Sequence, residues 1–487
     1  MRWGVRLSDL LGRSDLPADP EITGLTADSR AVSPGFLFAA LPGSHDDGAR
    51  FVGDARARGA AAVLCRPGAV PAMSGLTVIA DADPRRALAL AAARFHPRQP
   101  EILAGVTGTN GKTSVAQFTR QIWQALGHEA ASLGTLGIVR GTRVEPLGHT
   151  TPDPVTLHAA LDRLTAQGVE RLVLEASSHG LDQRRLDGVR FSLGAFTNLT
   201  RDHLDYHPDF EAYLDAKARL FEVLLPPMGL AVIHRDGAGG QAMVARCRAA
   251  GLGVLTTGGP GSDLELRARR PDAEGQTLEL AWSGRAWTVR LPLPGAFQAD
   301  NALLALGIVL AGGEDAEKAV AALEGLTGVA GRMEVAARHP AGGVVVVDYA
   351  HTPDALATVL AALRPHVTGR LIVVFGCGGD RDPGKRAPMG EIATRMADHV
   401  IVTDDNPRTE DAARIRAAIL EGATGAVEIA DRAEAVLSAA RMMGPGDVLL
   451  LAGKGHEQGQ ILGATVRPFD DRLAARAAVA RLAEGAR

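Results

Sequence analysis

Four runs in the last third of the chain, GVVVVDYAH, RLIVVFGCGGD, HVIVTDDNPR and DVLLLAGKGHE, stay apolar without interruption and then stop at Gly or Asp. Helix-length, Ala-rich segments separate them. A strand with one wet face alternates apolar and polar residues, whereas an unbroken run is buried on both faces, so the pattern predicts a parallel sheet covered by helices. In such sheets ligands bind beyond the carboxyl ends of the strands. Strand polarity alone therefore puts Asp348, the loop Gly376–Arg386, Asp405–Arg408 and Gly453–Glu457 on one rim.

Upstream the pattern changes twice. Short strand-like runs (GFLFAAL, AAVLC, LTVIA) lead to an Ala-rich helix, ALALAAARFH, closed by PRQP, whose prolines restrict the preceding residues and mark a linker. A second unit opens with EILAGVTGTNGKTS, and its strands end at LVLE and GAFTNLT. The expected fold is α/β in three domains. These are a smaller N-terminal α/β domain (1–98), a central P-loop-type ATP-binding domain with a mostly parallel sheet (99–331) and a C-terminal Rossmann-like doubly wound domain (332–487).

The length of 487 residues suits three domains at ~150 residues each. A net charge of −4 disfavours a protein held to nucleic acid or membrane by bulk charge. The cysteines, Cys65, Cys247 and Cys377, are too far apart in sequence for a zinc pair or CxxC motif, which suits a reducing compartment. Charge interrupts MRWGVRLSDLLGRSDLP before an apolar core of signal-peptide length develops, and ALLALGIVLAGG stops short of the ~18 apolar residues of a membrane helix. The expectation is a soluble cytoplasmic enzyme with no nucleic-acid or membrane partner, acting as a monomer.

The segment Gly105–Ser114 follows a strand and opens a helix. Glycines let backbone N–H groups turn inward around phosphate oxygens, and the helix N-terminus adds positive potential. Gly108, Thr109, Asn110, Gly111, Lys112, Thr113 and Ser114 are the candidate ATP contacts, Lys112 for the β and γ phosphates and the Thr113 hydroxyl for Mg²⁺. Val106 stands where the usual pattern has its first glycine. Glu175 ends a strand where a carboxylate can hold Mg²⁺, and TNLTRDHLDYH packs Asp202, His203, Asp205 and His207 into one loop. In DFEAYLDAKARLF, Lys217 falls on the apolar stripe formed by Phe210, Tyr213/Leu214 and Leu220/Phe221. A buried ammonium must pair, lose its proton or be modified, for example by CO₂ to a carbamate that could ligate Mg²⁺; the alternative is a lysine reaching out to solvent.

Through LTADSR, GVTGTNGKTS, HTTPDP, EASSHGLDQRR, FTNLTRDHLDYH, YLDAKARLF, GRMEV, DYAHTPDAL, FGCGGDRDPGKR, DDNPRTED and GKGHEQGQ, the chain resembles the ATP-dependent Mur ligases of cell-wall peptide synthesis, most closely the diaminopimelate-adding members. The resemblance implies a ligase that joins meso-diaminopimelate to the D-glutamate of UDP-N-acetylmuramoyl-L-alanyl-D-glutamate through an acyl phosphate. It implies that Lys217 is an N6-carboxylysine, with Lys112, Lys217, His203 and Glu175 catalytic. Two Mg²⁺ ions would lie on Thr113 and Glu175, and on Glu175, His203 and carbamylated Lys217. Ala27, Ser29, Ser44, His45 and Asp46 would contact the uridine diphosphate, and Thr150, Thr151, Ser177, Gln183 and Arg185 the sugar-peptide. Asn301, Arg332 and Asp348 would complete the ATP site, and Arg381, Asp405, Asn406, Pro407, Arg408, Gly453 and Glu457 would bind diaminopimelate. Arg408 is the planar two-pronged donor that a second carboxylate calls for, and Glu457 would pair with the distal ammonium.

Overall fold

The computed structural model describes residues 4–43, 46–203, 206–271 and 275–485. Three larger sheets follow one another along the chain, beside two short two-stranded pairs. In the first, strands Gly24–Thr26, Phe36–Ala39, Ala62–Cys65 and Thr77–Ala80 lie parallel in sequence order. The helix Pro84–Phe95 covers one face through Leu88, Ala91 and Ala92. Its N-cap Asp83 accepts the Arg86 amide, with Pro84 at the first turn where no amide donor is needed.

The second sheet has eleven strands. Strands Ala130–Gly134, Arg171–Glu175, Ile102–Thr107, Leu193–Phe196, Leu230–His234, Gly253–Gly258 and Leu264–Pro271 are neighbours in that order and parallel. Along Ile102–Thr107, Leu103 enters the core on one face while Ala104 and Val106 enter the core on the other. With both faces buried, the strand is apolar at successive positions. One face is packed by the phosphate-loop helix Lys112–Ala125 and by Ala296–Ala311, a helix buried over nearly all its length. The second of these contains all but the closing glycines of the ALLALGIVLAGG run and serves as core; among the described residues no helix is long and apolar enough to cross a membrane.

Antiparallel strands close both edges, Gly137–Arg140 with Arg143–Glu145 on one side and Gln276–Trp282 with Arg285–Leu291 on the other. The sequence pattern did not foresee them.

The third sheet runs Glu334–Arg338, Val344–Asp348, Val448–Ala452, Leu371–Phe375, His399–Val402, Val427–Glu428, all parallel except the first. The long apolar runs are its middle strands. Val345 and Val347 face one core and Val346 the other, so these strands too are buried on both sides. Their carboxyl ends share one rim, where the Gly453 amide donates to the Asp348 carbonyl at 3.1 Å.

Candidate functional site

The strand Ile102–Thr107 delivers the chain into the phosphate loop, where Gly108 (φ 144°) and Gly111 (φ 86°) take backbone angles that a side chain resists. Space gives a second reason for glycine. A Cβ on Gly108 would lie 1.8 Å from Thr197 Oγ1, and one on Gly111 2.4 Å from Asn301 Oδ1. Asn301 is thus held directly against the loop. Lys112 Nζ donates to the Gly108 and Thr109 carbonyls at 2.9 and 2.8 Å, folding its charge over the loop. Burial pulls the Lys112 amine down from the usual lysine range, opposed by Glu175 and Asp202.

Next to the lysine, Thr113 Oγ1 donates to Glu175 Oε2 at 2.9 Å. Glu175 also accepts from the Thr135 amide (2.8 Å) and hydroxyl (3.0 Å), which fixes a buried carboxylate at the end of its strand. A hydroxyl and a carboxylate held beside a phosphate loop form a hard oxygen donor set suited to Mg²⁺. Among the described residues no three His, Cys, Asp or Glu side chains form a metal-holding group.

Lys217 is 1% exposed. Its Nζ donates to the Gly108 carbonyl at 2.8 Å and lies 4.2 Å from the centre of the Tyr213 ring. Burial and then the nearby Lys112 push this amine well below its ordinary range, with Asp202 opposing. The structure thus decides against solvent contact. One correction follows on the same helix, Phe210–Arg219: Phe210 is 44% exposed, so the buried stripe begins at Tyr213. His203 adopts a left-handed backbone (φ 55°), and its ring is edge-on to His179 at 4.9 Å and to Tyr213 at 6.2 Å. Lys217 and His203 therefore meet the same tyrosine. Asp205 lies outside the described residues.

Lys112, Thr113, Thr135, Glu175 and His203 line a cleft of about 270 Å³, together with Asn198, Asp202, Thr150, Ser177, Arg332, Asp348, Tyr349 and His351, while Lys217 lies behind it against the Gly108 carbonyl. Its far wall belongs to the third sheet. Arg332 stacks on Tyr349 at 4.5 Å and donates from Nη2 to Thr113 Oγ1 at 3.4 Å. Asp348 accepts the Met333 and Ala350 amides, each at 2.8 Å, while burial raises its carboxyl to about 6 against the pull of Arg332. Thr151 Oγ1 donates to the Glu175 carbonyl at 2.8 Å and accepts the Ser177 amide at 3.0 Å. Arg185 donates to the Thr151 carbonyl (2.7 Å) and to Gln183 Oε1 (2.7 Å), so the sugar-peptide candidates form one network beside the cleft. Ala27, Ser29 and Asp46, the last paired with Arg50 at 2.6 Å, belong to the N-terminal unit and do not line this cleft. Ser44 and His45 lie outside the described residues.

Beyond Asp348 the rim loops converge. Arg408 has a left-handed backbone (φ 52°) fixed by its amide to the Ile461 carbonyl (3.0 Å), and its Nη1 donates to the Gly379 carbonyl at 2.8 Å. Arg381 Nη1 donates to the Asp380 carbonyl at 3.0 Å. Among the described residues neither guanidinium has a carboxylate partner within 4.0 Å. Both flank Gly378, where a Cβ would sit 2.7 Å from Arg408 Nη1. Two arginines beside one glycine, neither held in a close ion pair although Asp380 feels the charge of both, suit a carboxylate-bearing ligand. Gly453 (φ 112°) passes Asp405 closely, and Glu457 Oε2 accepts from Asn406 Nδ2 at 2.8 Å. Pro407 follows directly in the same turn, its carbonyl accepting the Glu410 amide at 3.1 Å.

Sequence reasoning missed several residues. Thr135 grips Glu175 from a distant segment that carries no motif. Tyr349 and His351 stand inside the quoted DYAHTPDAL, which was the available signal. His351 Nδ1 lies 2.8 Å from the Tyr349 carbonyl, and burial lowers its basicity. Lys454, within GKGHE, is wholly buried.

Residues 21–96 match the Mur ligase family catalytic domain, 106–309 the Mur ligase middle domain and 331–455 the Mur ligase glutamate ligase domain. The chain is 53% identical to the UDP-N-acetylmuramoyl-L-alanyl-D-glutamate–2,6-diaminopimelate ligase of Caulobacter vibrioides, over 96% of this chain and 97% of that one. It is 52% identical to the ligase of the same name from Bradyrhizobium diazoefficiens, over 98% and 99% of the two chains. A solved structure of a UDP-N-acetylmuramoyl-L-alanyl-D-glutamate–2,6-diaminopimelate ligase superposes over 99% of each chain with a TM-score of 0.71 and 34% identity.

Proposed function

The chain belongs to the Mur ligase family, and from that premise we propose that it joins meso-diaminopimelate to the D-glutamate carboxylate of UDP-N-acetylmuramoyl-L-alanyl-D-glutamate, cleaving ATP to ADP and phosphate. The observation that carries this reading is the single cleft in which Lys112, Thr113 and Glu175 of one sheet face Arg332 and Asp348 of another. One wall can hold a nucleotide, and the rim beyond the other holds two arginines that, among the described residues, form no close ion pair. We divide the work as UDP recognition in 1–98, phosphoryl chemistry in 99–331 and choice of amino acid in 332–487, in a cytoplasmic monomer acting on small molecules alone.

A carboxylate resists attack by an amine because it repels nucleophiles and its oxygen leaves poorly. Transfer of the ATP γ-phosphoryl to that oxygen makes an acyl phosphate, and the amine then displaces phosphate through a tetrahedral intermediate. Both first reactants are anions, so neutralising charge is the main demand on the site. Lys112 lies over the loop where β and γ phosphates would sit, and Arg332 approaches from the opposite wall. Asn301 and Ser114 border the same loop. Thr113 and Glu175 would hold one Mg²⁺, and Glu175, His203 and Lys217 a second. Bound there, Mg²⁺ supplies positive charge to the phosphate and carboxylate oxygens.

Lys217 suits that role only once modified. As an ammonium it would repel Lys112 and any cation. As a buried amine of depressed basicity it is nucleophilic towards CO₂: its lone pair attacks carbon, one N–H proton leaves to solvent, and the resulting carbamate is an anion. Arg408 and Arg381 would receive the distal carboxylate of diaminopimelate, while Glu457, Asn406 and Asp405 face its ammonium.

The test is phosphate release by the full-length protein with ATP, UDP-muramoyl dipeptide and each candidate amino acid. Release that requires both the dipeptide and meso-diaminopimelate, with oxygen passing from the dipeptide carboxylate into phosphate, is the expected result. Release indifferent to both substrates would overturn the reading.

A further inference from the structure

Lys454 has no solvent exposure, and no part of the phosphoryl chemistry needs it. Its Nζ lies 3.0 Å from Asn406 Oδ1, 3.3 Å from Glu457 Oε2 and 3.4 Å from Asp405 Oδ1. One ammonium thus ties together two segments of the amino-acid rim. An isolated buried ammonium would be prohibitive, and this one is retained because its three protons meet three oxygens.

The arrangement has two effects. The first is orientation. Asn406 Oδ1 accepts from both Lys454 and the Ile461 amide (3.0 Å), which turns its Nδ2 towards Glu457 Oε2. The second is charge. Asp405 and Glu457 are two anions on the floor of the rim, and Lys454 cancels one of them. One negative charge is left to meet one ammonium, beside Arg408 and Arg381, which form no close ion pair among the described residues.

We propose that Lys454 is a positioning residue that sets the charge of this floor and so favours an amino acid whose far end carries both an ammonium and a carboxylate over one whose far end is an ammonium alone. The inference rests on the ligase reading above and deepens it. Diaminopimelate ends in a centre of zero net charge, whereas lysine ends in a cation. Removing Lys454 makes the floor more negative by one unit, which repels the distal carboxylate and attracts the lysine terminus.

The experiment compares kcat/KM for meso-diaminopimelate and for L-lysine in the wild type and in Lys454→Met, Lys454→Gln and Lys454→Arg. The methionine and glutamine variants should lower the diaminopimelate-to-lysine ratio about tenfold or more, the order expected for one charge a few ångströms away at a partly screened site. Arginine, which restores the charge, should recover part of it. KM for ATP should stay near the wild-type value. A purely structural lysine would lower both amino-acid activities together, and an unchanged ratio would overturn the proposal. If both neutral variants fail to fold, Asn406→Asp adds the same unit of negative charge with the lysine in place, and an unchanged ratio there is equally fatal. Wild-type protein that ligates neither amino acid would instead refute the ligase reading.

Discussion

Replacing Arg432 with methionine should unfasten the strand that feeds the amino-acid rim. Arg432 and Asp471 both have fully buried side chains. They form a two-pronged pair, Nε to Oδ1 at 2.8 Å and Nη2 to Oδ2 at 2.7 Å, and Nη2 also donates to the Ala452 carbonyl at 2.9 Å. Removing the guanidinium strands a buried carboxylate, a change that costs about 3–5 kcal/mol. Loss of the donor to Ala452 adds about 1 kcal/mol, and the position of Asp471 in the first turn of helix Asp471–Gly485 returns a similar amount. The net is roughly 3–5 kcal/mol, or at least about a hundredfold in an opening equilibrium.

Tryptophan fluorescence would miss this change, because Trp3, Trp123, Trp282 and Trp287 all precede the third sheet. Amide hydrogen exchange of Val448–Ala452 reads it directly, since that strand lies between Val344–Asp348 and Leu371–Phe375. Its protection should fall at least about a hundredfold. The double variant Arg432→Met with Asp471→Leu, which removes both charges, should regain most of it. Protection unchanged in the single variant, or a double variant as exposed as the single, would refute the argument. Because Ala452 immediately precedes Gly453, the single variant should also raise KM for diaminopimelate more than KM for ATP.

Three further outcomes are expected. Lys217→Ala should lose nearly all ligase activity and regain part of it with a short-chain carboxylic acid that replaces the carbamate; absence of rescue would count against the modification. Arg408→Ala should raise KM for diaminopimelate by about tenfold or more and leave KM for ATP nearly unchanged, the cost of losing a charge-assisted pair; equal effects would remove Arg408 from selectivity. His158 is buried with Nε2 3.1 Å from the Asp187 carbonyl, and burial lowers its basicity to about 4. Between pH 6.5 and 4 the unfolded chain therefore binds the extra proton, so this histidine's contribution is complete above pH 6.5 and falls by about 3 kcal/mol as pH drops to 4. His158→Gln should flatten that part of the pH–stability curve, as measured by denaturant titration.

The middle strands of the third sheet were legible because burial on both faces leaves an unbroken apolar run. The phosphate loop was legible because its glycines, lysine and threonine are contiguous. Lys217 announced itself by standing on an apolar stripe. The edge strands were hidden: RAWTVRL, Arg285–Leu291, is exposed over most of its length and reads as a charged loop. The burial of Lys454 was hidden for another reason. Two of its acceptors, Asp405 and Asn406, arrive from the far side of the helix Arg432–Met442, and a glycine-flanked lysine looks like any rim residue until the loops are brought together. Thr135 likewise owes its role to tertiary approach rather than to its neighbours in sequence.

On the proposed reading, activation of the acid and selection of its partner fall to separate sheets that meet at Asp348 and Arg332, with side chains crossing between them that include Asn110 to Asp354 (3.3 Å) and Arg201 to Asp382 (3.4 Å). The acceptor end can therefore be re-engineered as a cassette: loops 376–386, 405–408 and 453–457 are open to grafting from a relative with another appetite, while the energising half is left as it stands.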